Sequence, residues 1–417
     1  MGSNEGLIRH AKDQGIFVGY FVFLVLLFYT TNQLHFPQSL GIPGLNVFNI
    51  FFVLVLLLSR KYVGYSTPLK RSIYWFWFVC LLGVFISIWT VSTDVMLDLT
   101  YFKNIVFYMA GFFLGYRYSR NEKLIKGIVA VILVVAAVAA LEAIKEAVAY
   151  GIGDYVESHR VSGPFGVDFY SANRAGVFYS MFVPVFLYLA LNLSCSKNIK
   201  LLLYAGFVLM LVAVFFTYSR QSYFISIISI LLVFGKTNKF LLVLLILSLP
   251  MYEYWAPESA MQRIDQTQMV DESTGEEMLD VSTESRFHIW SAAWEMFLDN
   301  PWGVGLNQFQ TQVEPYLGYP KDAHNHYVLT LGELGLLGVV FLLVLIVNIF
   351  RISIRAYKTS RDNFKSSLSG AFILMTIAVL LGNLYGSPLY MGEVMFCYWV
   401  LLGSVARIYS LQLRKLD

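Results

Sequence analysis

Long apolar runs recur along the whole of this chain, and each is near the length a helix needs to cross a bilayer, about 20 residues. They fall at roughly 14–32, 43–59, 72–92, 101–118, 124–143, 173–194, 199–217, 221–235, 239–255, 327–350, 367–387 and 391–411. Transmembrane strands would instead alternate over about ten residues. The expectation is an all-α polytopic membrane protein with about 12 transmembrane helices. Composition agrees: 57% of the 417 residues are apolar or aromatic and 14% are charged, against about 45–50% and about 25% in soluble domains. An ordinary cytoplasmic enzyme, a disordered chain and a disulfide framework are excluded. The net charge of +3 is too small to imply nucleic acid as a partner.

The positions of the charges set the topology. Lys and Arg gather on the cytoplasmic side of membrane helices. Of the 30 here, 22 fall in the alternate loops that share a side with both termini. The other eight are Lys103, Lys145, Arg160, Arg174, Arg220, Arg263, Arg286 and Lys321. Twelve spans with both termini cytoplasmic explain this split. The first run lacks a small-residue cleavage site and is followed by His35 and Pro37, so it reads as a retained helix. Cys80, Cys195 and Cys397 offer no pair on an oxidising face, and no disulfide is expected.

The chain then divides into residues 1–255 with nine helices and an outer loop at about 144–172, a large outer loop at 256–326, and residues 327–417 with three helices. The large loop is locally acidic, with 12 Asp and Glu against 3 Lys and Arg over 256–323. Its stretch 268–285 is polar and turn-rich. After it, Ile289, Trp290, Ala293, Trp294 and Phe297 recur with helical period, so an amphipathic helix is predicted there. It ends at Asn300-Pro301 and a turn with Gly303 and Gly305.

Chemistry-bearing residues concentrate on the outer side. Five of the six histidines lie there: His35, His159, His288, His324 and His326. Histidine titrates near neutrality and is the commonest general base. Asp322, His324, Asn325 and His326 form the densest group, at the entry to the tenth span. Glu333, seven residues after His326, shares its helix face and requires a partner, such as Tyr, His or Arg, to sit in a span. His324-x-His326 is at most half a metal site, and no second cluster completes it. Arg160, Arg174, Arg220 and Arg286 make a plausible diphosphate receptor, because guanidinium forks match phosphate oxygens in pairs.

These motifs resemble the bacterial O-antigen ligase and O-antigen polymerase superfamily of integral-membrane, GT-C-like glycosyltransferases. The resemblance rests on Thr217-x-Ser219-Arg220, on Arg160-x-Ser162-Gly163 with Asn173, and on Ser285-Arg286 followed by Trp290 and Asn300-Pro301-x-Gly303-x-Gly305. Its strongest element is His324-Asn325, followed after nine residues by Gly335-x-x-Gly338. It implies a glycosyltransferase in the bacterial inner membrane, working on its periplasmic face without metal, nucleotide or other cofactor. The implied donor is an undecaprenyl diphosphate-linked glycan. The acceptor is lipid A–core oligosaccharide for a ligase, or a second lipid-linked glycan for a polymerase. By position, His324 is the catalytic base. Arg220, Arg286 and Arg160 contact the diphosphate, and Asn325, His326 and Glu333 give support. Polymerases of this group often carry Arg-x10-Gly. Here Ser171 and Phe297 stand where those glycines would be, which favours a ligase. A lipid-linked oligosaccharide transporter is the competing class, but polar residues are sparse in mid-span.

Overall fold

The computed structural model describes residues 2–31, 46–59, 67–91, 94–151, 155–166, 171–255, 257–265, 268–270, 277–279 and 281–413. His35 and the basic pair Arg60–Lys61 lie outside them, as does part of the acidic stretch 268–285. In chain order the helices are α1 (Gly2–Thr31), α2 (Val47–Leu58), α3 (Lys70–Thr90), α4 (Val95–Met109), α5 (Gly111–Tyr118), α6 (Glu122–Tyr150), α7 (Ala172–Asn192), α8 (Lys197–Phe216) and α9 (Arg220–Thr237). There follow α10 (Lys239–Ser248), α11 (Tyr252–Trp255), α12 (Glu258–Asp265), α13 (Val281–Asp299), α14 (Phe309–Gln312), α15 (Glu314–Leu317), α16 (His326–Thr359), α17 (Asn363–Gly382) and α18 (Gly392–Leu413). Between α12 and α13, β1 (Gln268–Val270) pairs antiparallel with β2 (Glu277–Leu279).

Each apolar run coincides with helix over most of its length, but not every helix qualifies as a crossing. By length and apolar composition seven do among the described residues: α3, α6, α7, α8, α16, α17 and α18. Phe17–Thr31 and α2 are apolar but shorter. The run at 101–118 is divided at Ala110 between α4 and α5. The run at 239–255 is broken where Pro250 removes a backbone donor and a 3-10 turn (Leu249–Met251) replaces the helix.

Helix starts follow local chemistry. The side chains of Asn46, Asp94, Asn121, Ser196, Asn238, Asn325 and Asp362 each accept a backbone N–H of the first turn of the helix they open. Such caps satisfy amides that a helix leaves unpaired. α7 and α18 are the most enclosed of the seven long helices. α18 crosses α5 closely, because a Cβ on Gly115 would lie 2.2 Å from the Val400 carbonyl oxygen and one on Gly403 2.2 Å from that of Phe112. Small residues at a crossing let two backbones approach where lipid supplies no hydrophobic drive. α10 buries no residue.

The two ends of the bundle differ. At one, Glu122 bridges Lys126 and Lys365 (2.7 and 3.0 Å), joining α6 to α17. At the other, the segment before α7, the α8–α9 corner, the 281–325 segment and the 383–391 connection come together. There Arg174 pairs with Glu393 at 2.9 Å, tying the start of α7 to the start of α18.

Candidate active site

The site is built around a broken helix. Inside α16, Gly335 has φ 61° and ψ −157°, so the helical ladder is cut there. The segment after α13 fills the cut. Val304 N–H donates to the Gly332 carbonyl (2.9 Å), Gly305 N–H to that of Glu333 (3.0 Å), and Leu336 N–H donates to the Pro301 carbonyl (3.1 Å). Leu306 N–H also reaches the Gly83 carbonyl in α3 (3.0 Å). The two glycine motifs 30 residues apart in the sequence are therefore one structure. Gly303 (φ 89°), Gly305 (φ 107°) and Gly335 occupy the left-handed region, where a side chain is strained.

This arrangement holds the start of α16. Asn325 caps it by accepting from Tyr327 N–H (2.9 Å) and Val328 N–H (3.2 Å). His326 is fully buried. Its backbone N–H donates to the Asn383 carbonyl (2.9 Å), and its ring stands edge-on to Tyr390 at 4.4 Å. Neither ring nitrogen has a hydrogen-bond partner among the described residues. Glu333 is also buried. Its partner is backbone rather than the Tyr, His or Arg side chain anticipated: Oε1 accepts from Phe309 N–H at 3.4 Å. Loop amides can serve because the 301–309 segment already runs against the break. Nearby, buried Asp98 accepts from Ser87, from Asn307 (2.9 Å) and from Gln308 (3.0 Å), fastening the same segment to α4.

His324 precedes the cap and is partly exposed. Its backbone is left-handed (φ 48°), an uncommon state for a residue other than glycine. Its N–H donates to Asp322 Oδ2 (3.3 Å), and Nδ1 lies 3.5 Å from the same oxygen. Partial burial holds its pKa below the usual 6.5. The Asp322 carboxylate opposes that shift, and the positive charges of Arg286 and Lys321 add to it. The imidazole is therefore held neutral around pH 7.

Arg286 lies in α13, with its guanidinium over the Tyr385 ring at 5.6 Å. Trp290, one turn on, donates Nε1–H to the Ala323 carbonyl (3.0 Å). α13 thus grips the residue next to His324. Its buried line is Ile289, Ala292, Ala293 and Met296, whereas Trp294 is 54% exposed. The aromatic face expected from spacing is thus rotated. Gly332 explains why: a Cβ there would meet Met296 Cε at 2.7 Å, so the contact with α16 selects small or pliable side chains and turns Trp294 outward.

Arg220 opens α9 directly after Thr217-Tyr218-Ser219. The adjacent Gln221 donates Nε2–H to the Gly382 carbonyl (2.6 Å). Gly382 and Asn383 therefore hold the arginine-bearing corner and the histidine-bearing helix on successive carbonyls. Arg160 is placed differently. It is buried, and its three nitrogens donate to the Thr217 carbonyl (3.0 Å), Glu157 Oε1 (3.0 Å) and Asn173 Oδ1 (2.5 Å). It locks the α8–α9 corner to α7. Spacing did not point to Gln221, Tyr385, Asn383 or Tyr390. The only hint was the cluster Asn383, Tyr385, Ser387 and Pro388 at the end of the eleventh apolar run. Among the described residues, no group of three or more His, Cys, Asp or Glu is arranged to hold a metal ion.

Residues 205–343 match a protein family described as O-antigen ligase. The match includes Arg220, Arg286, His324, Asn325, His326 and Glu333, and both halves of the glycine-lined break. No curated protein matches the chain. Over about a third of its length, this multi-pass membrane protein is thus similar to the O-antigen ligase family of glycosyltransferase-like enzymes.

Proposed function

We infer that this protein transfers a glycan from an undecaprenyl diphosphate carrier to an acceptor hydroxyl on the periplasmic face of the inner membrane. The acceptor is the lipid A–core oligosaccharide, and twelve spans leave both termini in the cytoplasm. The observation that carries the reading is the convergence of a neutral, partly exposed His324 with Arg286 and with the Arg220 corner at one end of the bundle.

In this reading the acceptor hydroxyl oxygen attacks the anomeric carbon and its proton passes to His324. Asp322 stands at Nδ1, which leaves Nε2 to face the acceptor. The bond between the anomeric carbon and the diphosphate oxygen breaks, and its electron pair leaves with the carrier diphosphate. Arg220 and Arg286 stabilise that departing charge. Arg160 acts through the Thr217 corner as a positioning residue. Asn325, His326 and Glu333 support the base by fixing the start of α16. No metal or cofactor is assigned a role. A single displacement inverts the anomeric centre, so a product of retained configuration by NMR overturns this step.

The test supplies purified protein with carrier-linked glycan in the presence of EDTA, and either lipid A–core or donor alone. A lipid A conjugate made by wild type but not by His324→Ala supports the reading. Longer carrier-linked chains make the enzyme a polymerase. No product with either acceptor rejects transfer.

A further inference from the structure

A cavity lies on the side of α13 away from Arg286 and Trp290. Its volume is about 500 Å³, within the range of small-molecule sites. Glu284, His288, Ser291 and Glu295 line one wall, and Tyr316 and Tyr319 of the 314–319 segment face them. The spacings of 4, 3 and 4 residues put the four α13 side chains on a single helix face. Arg286 and Trp290, which attend His324, are two residues out of phase with Glu284 and His288, roughly half a turn away. Between the two faces run Phe287 and Trp294, 56% and 54% exposed.

The lining suits sugar rings. Carboxylates accept from neighbouring hydroxyls, serine and histidine add short-range polar contacts, and tyrosines offer flat faces to C–H groups while their hydroxyls bond outward. Tyr316 is held in place by donating to Asp299 at 2.7 Å, and His288 lies 3.7 Å from Glu284. Among the described residues, no lysine or arginine lines the cavity. Two carboxylates there repel an acidic sugar.

We propose that this cavity is a distal glycan subsite that takes neutral sugar rings and rejects uronic acids. A chain reacting at His324 crosses the exposed rings of Phe287 and Trp294 and rests its farther sugars between α13 and Tyr319. The subsite rests on the transferase reading for its role, but its binding is measurable without turnover.

The experiment is saturation-transfer NMR on full-length protein in lipid nanodiscs. The probes are a neutral N-acetylglucosamine tetrasaccharide and an acidic galacturonic acid tetrasaccharide. The neutral probe is expected to bind wild type and His324→Ala alike. Tyr319→Ala and Glu295→Gln, both at exposed positions, each weaken it by about tenfold or more. The acidic probe binds at least about tenfold more weakly than the neutral one. Failure of the neutral probe to bind wild type, equal binding of the two probes, or unchanged binding in both variants overturns the subsite. Loss in His324→Ala also overturns it, by moving the sugar to the reaction centre. Binding as expected with no transfer in the two-acceptor assay removes the transferase reading and leaves the subsite. Transfer without such binding does the reverse.

Discussion

Gly303 and Gly335 meet backbone to backbone. A Cβ on the first would lie 2.7 Å from the second's nitrogen, and a Cβ on the second 2.6 Å from the first's. Both have positive φ. Gly303→Ala or Gly335→Ala is expected to cost at least about 2 kcal/mol, from left-handed strain and overpacking together. Thermal unfolding followed by loss of helicity in detergent checks this. Gly318→Ala, with positive φ but open space around it, is expected to cost only the strain.

His324 allows fold and chemistry to be separated. Its left-handed backbone suits asparagine, so His324→Asn is expected to keep the wild-type melting temperature. Its transfer rate falls by about 10²-fold or more, the usual contribution of a general base. A large loss of stability in this variant makes the histidine structural.

The pH dependence has a definite sign. A base with a depressed pKa is neutral above it, so transfer holds steady through pH 7 and falls only as the pH drops below the usual 6.5. Asp322 raises the His324 pKa, so Asp322→Asn moves the acid limb of kcat/KM to lower pH. Arg286 lowers it, so Arg286→Gln moves the limb upward, whatever it does to donor affinity. Limbs that stay in place in both variants detach His324 from the titration.

Arg160 and Arg220 are expected to fail differently. Arg160→Ala strands the buried Thr217 carbonyl and removes the partner of Asn173, and a loss of about 3 kcal/mol in stability follows. Arg220→Ala leaves the fold near wild type and lowers kcat/KM by about 10²-fold, as the loss of one transition-state contact does. Paired melting and kinetic measurements separate them.

Asn325→Ala removes the cap of α16 and is expected to cost about 1 kcal/mol, while Asn325→Asp restores it. Activity that recovers with Asp ties the cap to the placement of His324.

The helices were legible because hydropathy reports the solvent of each segment directly, and the apolar runs coincide with them. The residues of the site were legible one at a time, as types: a histidine before an apolar run, arginines among outer loops, glycines at fixed spacing. Their partners were not. Nothing in the spacing joins Gly303 to Gly335, since the pairing depends on a break in helix geometry that composition does not announce. Arg160 read as a diphosphate contact because basic residues are few on the outer face and because of its place in Arg160-x-Ser162-Gly163. Here a turn buries it and commits each nitrogen. The phase of α13 was misjudged because large aromatics dominate a periodicity count, while the contact with Gly332 rewards alanine and methionine.

The cut in α16 has a mechanical consequence. Above Gly335 the helix is short, capped at one end and bonded to the 301–306 segment at the other. Below it the rest of α16 runs on to Thr359. The same strip of backbone also bonds Leu336, below the cut, through the Pro301 carbonyl, so the two parts of the helix are braced against each other by a segment that belongs to neither.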